Sequence, residues 1–252
     1  MRMNYKNLFI FIIIMLITIL AGGLGKRMQS NIPKVLHLVD GSPMIIRILN
    51  QVVKLSPVKI FIVVGEFYPL IKDCIDMNLE CGKHLIEYVF QPIPLGTGNA
   101  VYHTLKHLEN YKNSYNLILC GDTPMLTFNT LYNLTKNFTN DLLVTGIHLD
   151  NPYGYGRIVT NNDQFVDIVE EKDCNEEQRN ITLVNVSIYY VKVQVLFDTI
   201  PNITNNNKSN EYYLTDFVKI YNGIPNLYIL DETKVGEIVN VNSKQDLENL
   251  KV

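Results

Sequence analysis

Residues 20–36 read L-A-G-G-L-G-K-R-M-Q-S-N-I-P-K-V-L and constrain this chain more than any other stretch. An apolar run ends in a glycine-rich turn. Two adjacent cations follow, Lys26 and Arg27, and a Pro33-Lys34 pair comes a few residues later. Gly22, Gly23 and Gly25 allow positive φ angles and close approach of the backbone to a ligand. Their N–H groups can then converge on an anion, and Arg27 and Lys34 add full positive charges beside them. A polyphosphate is the simplest ligand. Other glycine loops fit less well. The dinucleotide fingerprint wants a third glycine where Met28 stands. A Walker loop wants Ser or Thr where Arg27 stands and an earlier Gly where Leu20 stands. A plain tight turn after a buried strand would explain three glycines alone; the cations and Pro33-Lys34 favour the phosphate reading.

The rest of the chain supplies the setting. Strands are predicted over 12–20, 60–64, 86–90, 116–120 and 142–148. Helices are predicted over 42–54 (Ser42 as cap, Pro43 at the first position), 69–78, 97–108 and 127–138. This alternation predicts a mostly parallel sheet with helices on both faces. The glycine loop, Gln91 and Asp122 all follow strand ends, where ligands of such sheets sit. After residue 150 the rhythm changes. A hairpin is predicted from 157–160 and 165–170, then strands over 183–191 and 227–230. Helices are predicted over 193–200 and 214–222, and a last one from Ser243 with Asp246 three residues on.

With 252 residues, 47% of them hydrophobic, the chain suits one sizeable domain with room for a small subdomain. A formal net charge of -3 offers no basic field for nucleic acid. Cys74, Cys81, Cys120 and Cys174 show no zinc spacing and read as reduced thiols. The histidines form neither a metal pattern nor a Ser-His-Asp set. Residues 8–21 form an uncharged apolar run behind Arg2 and Lys6 that resembles a secretory signal. It is short of the roughly 20 apolar residues of a membrane span. Cleavage after it would remove the strand that delivers the glycine loop. A cytoplasmic protein without a membrane partner is therefore expected, with residues 1–11 as an apolar lead-in to a domain over 12–252. A start at Met15 would still give an ordinary-looking domain.

Several blocks stand in a fixed order: the glycine loop, Q-P-I-P-L-G-T-G-N-A from Gln91, C-G-D-T-P from Cys120 and N-P-Y-G-Y-G-R-I from Asn151. V-E-E-K-D-C-N-E-E-Q-R-N-I from Val169, N-V-S-I from Asn185, N-E-Y-Y-L-T-D from Asn210 and V-N-S from Val241 follow. Together they resemble the sugar-nucleotide pyrophosphorylases, and most closely the uridylyltransferase domain of the bacterial N-acetylglucosamine-1-phosphate enzyme. The first block is common to many pyrophosphorylases; the E-K-D…E-Q-R and E-Y-Y-L-T-D blocks are more particular to that branch. The resemblance implies a Rossmann-like, mostly parallel mixed sheet of the nucleotide-diphospho-sugar transferase type, with a small β-rich sugar-binding lobe. Residues 12–150 would form the nucleotide-binding half and 151–252 the sugar-binding half. It also implies a Mg²⁺-dependent transfer of uridylyl from UTP to N-acetylglucosamine 1-phosphate. The alternatives are a sister enzyme for glucose 1-phosphate or dTTP, or a non-catalytic sugar-nucleotide sensor. No hexapeptide repeat follows, so acetyl transfer is not expected.

Residue by residue, Asp122 is a hard oxygen donor at a strand tip, as Mg²⁺ prefers; an N-cap or turn role before Pro124 is its plain alternative. By resemblance it is the metal aspartate and Asn242 its partner, with Asn240 the register risk. Lys34 and Arg27 resemble the family's catalytic phosphate-binding pair. Gln91, Gly96 and Thr97 match the base-reading segment, where an amide can present a donor and an acceptor to uracil. Leu20, Ala21, Gly22, Gly23 and Gly121 match further nucleotide contacts. Gly156, Glu170 and Asn185 match the amino-sugar pocket, and Tyr213 and Thr215 the surroundings of the acetyl group. Cys120 stands where near relatives carry Tyr, and Lys26 where they carry Thr.

Overall fold

The structure is a computed structural model that describes residues 14–23, 25–28, 30–136, 138–162 and 164–250. The lead-in over 1–11 and residues 12–13 of the predicted first strand lie outside them. The strands are β1 (Met15–Leu20), β2 (Leu38–Val39), β3 (Ser42–Pro43), β4 (Lys59–Val64), β5 (Ile86–Phe90) and β6 (Tyr115–Cys120). They continue with β7 (Leu142–His148), β8 (Arg157–Asn161), β9 (Gln164–Val169), β10 (Leu183–Lys192) and β11 (Asn226–Ile229). The helices are α1 (Met44–Val52), α2 (Tyr68–Asn78), α3 (Thr97–Leu108), α4 (Phe128–Thr135), α5 (Glu176–Arg179), α6 (Val193–Thr199), α7 (Asp216–Ile220) and α8 (Lys244–Asn249).

Strands buried on both faces read as continuous apolar runs, and the sheet follows from that. Its order is β11-β7-β10-β6-β1-β4-β5. β6, β1, β4 and β5 run parallel, as do β11 and β7, while β10 lies antiparallel between β6 and β7. Alternate residues of β1 feed opposite cores. Ile17 and Ile19 pack with Ile45 of α1, Ile71 of α2 and Leu131 of α4. Leu16 packs with Val101 of α3, Leu196 of α6 and Phe217 of α7. Thr18 and Asn116 are buried and polar; Asn116 Nδ2 donates to Thr18 Oγ1 at 2.9 Å, so neither needs water.

The predicted helix over 42–54 begins only at Met44. Ser42 and Pro43 instead pair with Val39 and Leu38 in a small hairpin, and the last turn over Val53–Leu55 tightens to 3₁₀ geometry. The predicted helix over 214–222 shortens to α7: Leu214 N–H is bonded to Thr97 Oγ1 at 3.0 Å ahead of it, and Tyr221 leaves helical geometry with ψ 122 behind it. Elements without a prediction include β2, α5, closed by a capping box between Asn175 and Gln178, and a 3₁₀ turn over Glu232–Glu237. The residues after 150 build no separate sheet. β10 and β11 join the central one, and only the β8–β9 hairpin projects as a small lobe. All four cysteines are free. Among the described residues no helix is long and apolar enough to cross a membrane.

Candidate active site

From β1 the chain steps outward to β4 and β5, then returns to β6 on the other side of β1. The loops after β1 and β6 part at this switch point, and such a crevice is where open α/β sheets bind ligands. A cleft of ≈ 380 Å³ opens there. Leu20, Ala21, Gly22, Gly23, Lys34, Gln91, Gly96, Thr97 and Asp122 line it. Gly25 of the predicted anion-binding turn and Cys120 line it too, and sequence reasoning did not assign its other walls, Val35, Pro94, Ala100 and Glu211. Apolar wall residues carry no chemical signal, and Glu211 sat unassigned inside a quoted block. Burial pushes the Cys120 thiol up to about 12, so it is a neutral wall at physiological pH.

The turn after β1 is shaped by missing side chains. Gly25 has φ +58, and a Cβ there would lie 2.9 Å from Lys34 Cβ. A Cβ at Gly23 would meet nothing within 4 Å, so that backbone faces the open cleft. Gly121 lies behind the wall, donating its N–H to Leu20 O at 2.9 Å. Met28, which breaks the dinucleotide fingerprint, is fully buried against Val39, Met44 and Val241 and fastens the turn to the C-terminal segment.

Lys34, Asp122 and Asn242 meet at the mouth of this turn. Lys34 Nζ contacts Asp122 Oδ2 and donates to Asn242 Oδ1 at 3.0 Å. The Lys34 and Asp122 side chains are only 16% and 14% exposed, which makes this a shielded pair. Asn242 is carried into place by its neighbours. Val241 N bonds Asp122 O at 2.9 Å, and Asp246 Oδ2 accepts from Asn242 N and Ser243 N, each at 2.8 Å. Asn240 lies outside this cluster, its Oδ1 buried without a partner. Asp122 Oδ1 is likewise buried without a partner. Two hard oxygen donors already converge on one cation, and a carboxylate oxygen remains to be satisfied; the set fits Mg²⁺. Among the described residues no cluster of three or more His, Cys, Asp or Glu exists. An ion held here would complete its shell with water or phosphate oxygens. Arg27 is exposed on the turn over Lys26–Met28 and has no ion pair among the described residues.

Gln91 is 4% exposed. Its Nε2 donates to Gly96 O at 3.3 Å and Asn99 Oδ1 at 2.9 Å. The carbonyl partner fixes the amide's orientation, so Gln91 offers the cleft its oxygen only. Thr97 Oγ1 is also engaged, accepting from Leu214 N.

Gly156, Glu170, Asn185, Tyr213 and Thr215 stand apart from the cleft's lining. Thr215 Oγ1 donates to Glu170 Oε1 at 2.9 Å, and a Cβ at Gly156 would lie 3.6 Å from Glu170 Oε2. Burial raises the Glu170 carboxyl above its ordinary range; Thr215 pulls it back, while Asp216, Asp173 and Glu211 push it further. Asn185 is buried at a bulge in the β10–β7 pairing, where Ser187 takes φ 58. Bulges of this kind re-aim side chains next to active sites. Here Asn185 Nδ2 donates to Tyr189 Oη at 2.7 Å, and its Oδ1 accepts from Ser187 N at 3.2 Å. Asn185 N donates to Gly156 O at 2.8 Å, joining the two positions. Tyr213 is half-buried.

Residues 17–155 match the family described as the MobA-like NTP transferase domain. A mimivirus protein named "probable UDP-N-acetylglucosamine pyrophosphorylase" is 51% identical over 240 residues, covering 92% of this chain and 93% of that one. The bifunctional protein GlmU of Geobacillus thermodenitrificans is 40% identical over 207 residues, covering 80% of this chain and 43% of its own length. The chain thus spans about half the length of the bifunctional relatives it matches. HddC from Yersinia pseudotuberculosis superposes with TM-score 0.66 at 19% identity over 93% of this chain and 97% of its own, a likeness of fold.

Proposed function

The chain belongs to the MobA-like NTP transferases and, within them, to the sugar-nucleotide pyrophosphorylases; from that premise we propose that it transfers uridylyl from UTP to N-acetylglucosamine 1-phosphate. A phosphate oxygen of the sugar phosphate attacks the α-phosphorus of UTP. The bond to the β-phosphate oxygen breaks, and pyrophosphate leaves with that electron pair. The observation that carries the reading is the meeting of Lys34, Asp122 and Asn242 at the mouth of the glycine turn.

Both reactants are anions, so the work is alignment and charge neutralisation. Lys34, already held in the cleft, would bind the sugar phosphate and α-phosphate oxygens. Arg27, exposed at the rim, would hold the leaving pyrophosphate. The backbone around Gly22 and Gly23 would receive the nucleotide. Gln91 offers an oxygen, which suits the N3–H donor of uracil and disfavours cytosine, whose N3 is an acceptor. Glu170 would accept from a sugar hydroxyl beside the close backbone of Gly156. Asp122 and Asn242 would hold Mg²⁺, which when bound supplies positive charge to neutralise the phosphates. In this reading residues 12–150 and 151–252 bind the nucleotide and the sugar across one shared sheet, and free cysteines suit a cytoplasmic enzyme.

A pyrophosphate-release panel of nucleoside triphosphates against sugar 1-phosphates tests this. UTP with N-acetylglucosamine 1-phosphate should turn over fastest. Faster turnover with glucose 1-phosphate would reassign the sugar, and release from no pair would remove the activity altogether.

A further inference from the structure

Segment 212–215 has backbone and side-chain ties in two directions. Toward the nucleotide side, Tyr212 N donates to Leu95 O at 2.8 Å and Tyr212 O accepts from Gly98 N at 2.7 Å. Leu214 N donates to Thr97 Oγ1 at 3.0 Å. The fit is close enough to dictate glycine. A Cβ at Gly96, whose φ is +118, would lie 2.5 Å from Tyr212 O and 2.8 Å from Tyr212 N; one at Gly98 would lie 3.0 Å from Tyr212 O. Toward the sugar side, Thr215 Oγ1 donates to Glu170 Oε1 at 2.9 Å. Leu214 and Thr215 are both 5% exposed, so water does not compete for these bonds.

We propose that residues 212–215 form a positioning strap joining the base-binding loop to the sugar-binding carboxylate, with Thr97 and Thr215 as positioning residues at its two ends. The inference rests on the proposed reaction for its substrates. Each hydroxyl has one bond committed to the strap: Thr97 accepts from Leu214 N, and Thr215 donates to Glu170. Gly96 and Gly98 are glycines because the strap crosses them, whatever the base loop requires. A displacement on the nucleotide side is therefore passed through four residues to the carboxylate that would read the sugar.

Glu170 gives the strap a readout. Burial raises its carboxyl, the Thr215 hydroxyl opposes that rise, and the charged groups facing it are Asp216, Asp173 and Glu211. Loss of the Thr215 hydroxyl should raise the carboxyl further. If ionised Glu170 accepts a sugar hydroxyl, the acid limb of kcat/KM for the sugar phosphate must then move to higher pH.

The test uses T97V and T215V with serine rescues. T97V removes the acceptor for Leu214 without changing side-chain size. It should raise KM for N-acetylglucosamine 1-phosphate about tenfold, the scale of one lost buried hydrogen bond, although Thr97 lies on the nucleotide side. T215V should raise the same KM about tenfold, leave KM for UTP unchanged and shift the acid limb upward. T97S and T215S should restore wild-type values. A T97V enzyme whose only defect is in UTP, or a T215V enzyme with an unmoved acid limb, overturns the strap. Inactive wild-type protein would instead overturn the reaction. In that event UTP binding by calorimetry still reads the nucleotide-side tie: T97V should weaken it and T215V should not, and equal weakening by both would overturn the assignment of the two ends.

Discussion

Gly22, Gly25 and Gly96 shape the cleft, the proposed nucleotide side, by what they lack, whereas Glu170, Asn185 and Thr215, apart from its lining, shape the proposed sugar side by what they hold. On the first side a methyl group has no room at Gly25 or Gly96, and at Gly22 it would crowd Gln91 Oε1 at 3.2 Å. On the second, side chains are buried and satisfy one another. Such walls fail differently. A backbone cradle breaks when an atom is added; a side-chain network breaks when a partner is removed and leaves a buried polar group unpaired. The Lys34–Asp122–Asn242 cluster, whose Lys34 and Asp122 also line the cleft, depends instead on charge.

The largest effect should come from that centre. Lys34→Ala should lower kcat/KM by on the order of 10²–10³, the scale of one preorganised charge-stabilising group. Steady-state kinetics with circular dichroism to confirm the fold checks it, and near-normal turnover would reduce Lys34 to a structural ion pair. Asp122→Ala and Asn242→Ala should each raise the Mg²⁺ requirement and lower turnover. Because both would hold one ion, the double variant should be little worse than the worse single one. Additive losses would separate the two residues.

Gly25→Ala sharpens the contrast from the backbone side. With φ +58 and Lys34 Cβ only 2.9 Å from the new methyl, the turn must shift and carry Lys34 with it. Turnover should fall about tenfold or more, consistent with the sensitivity of phosphoryl chemistry to misplacement. The side-chain counterpart is Glu171→Ala. Arg157 is 2% exposed and pairs with Glu171 at 2.7 Å, so its guanidinium would be left buried without an anion. A loss of about 3 kcal/mol in urea unfolding is expected. Burial alone would raise the Glu171 carboxyl, but hydrogen bonds from Arg157 and Gly154 and the nearby guanidinium charges of Arg157 and Arg179 outweigh it and hold it low. A depressed carboxyl contributes stability at neutral pH that is lost as pH falls through its folded pKa. The variant's deficit should therefore shrink in acid, and a pH-independent deficit would deny the ion pair its role.

The same contrast explains what could be read in the sequence. The central strands were legible because burial on both faces writes itself as an apolar run, as in β7 (Leu142–His148). The turn after β1 was legible because glycines and cations fall within a dozen residues. The sugar side is assembled from β9, β10 and the strap before α7, and no local pattern reports that Thr215 reaches Glu170. Likewise Ser42 and Pro43 carry the signature of a helix start, yet pair as a strand because Leu38 and Val39 lie opposite. The internal engagement of Thr97 depends on a bond to a residue 117 positions away.

The smallest expected effect is the most exacting test of register. Asn240 and Asn242 lie two residues apart in V-N-V-N-S, and sequence alone does not say which reaches the centre. In the fold Asn242 Oδ1 meets Lys34 Nζ, and the capping box of α8 fixes its backbone through Asp246. The Asn240 side-chain oxygen is buried without a partner, so truncating it strands no bonded neighbour and removes an unsatisfied acceptor. Asn240→Ala should accordingly change turnover and Mg²⁺ dependence by less than about threefold, within the range of a substitution that breaks no bond. Mg²⁺ titration of the Asn240→Ala and Asn242→Ala proteins side by side decides the matter. A damaging Asn240→Ala beside a silent Asn242→Ala would move the centre by two residues and detach it from Lys34.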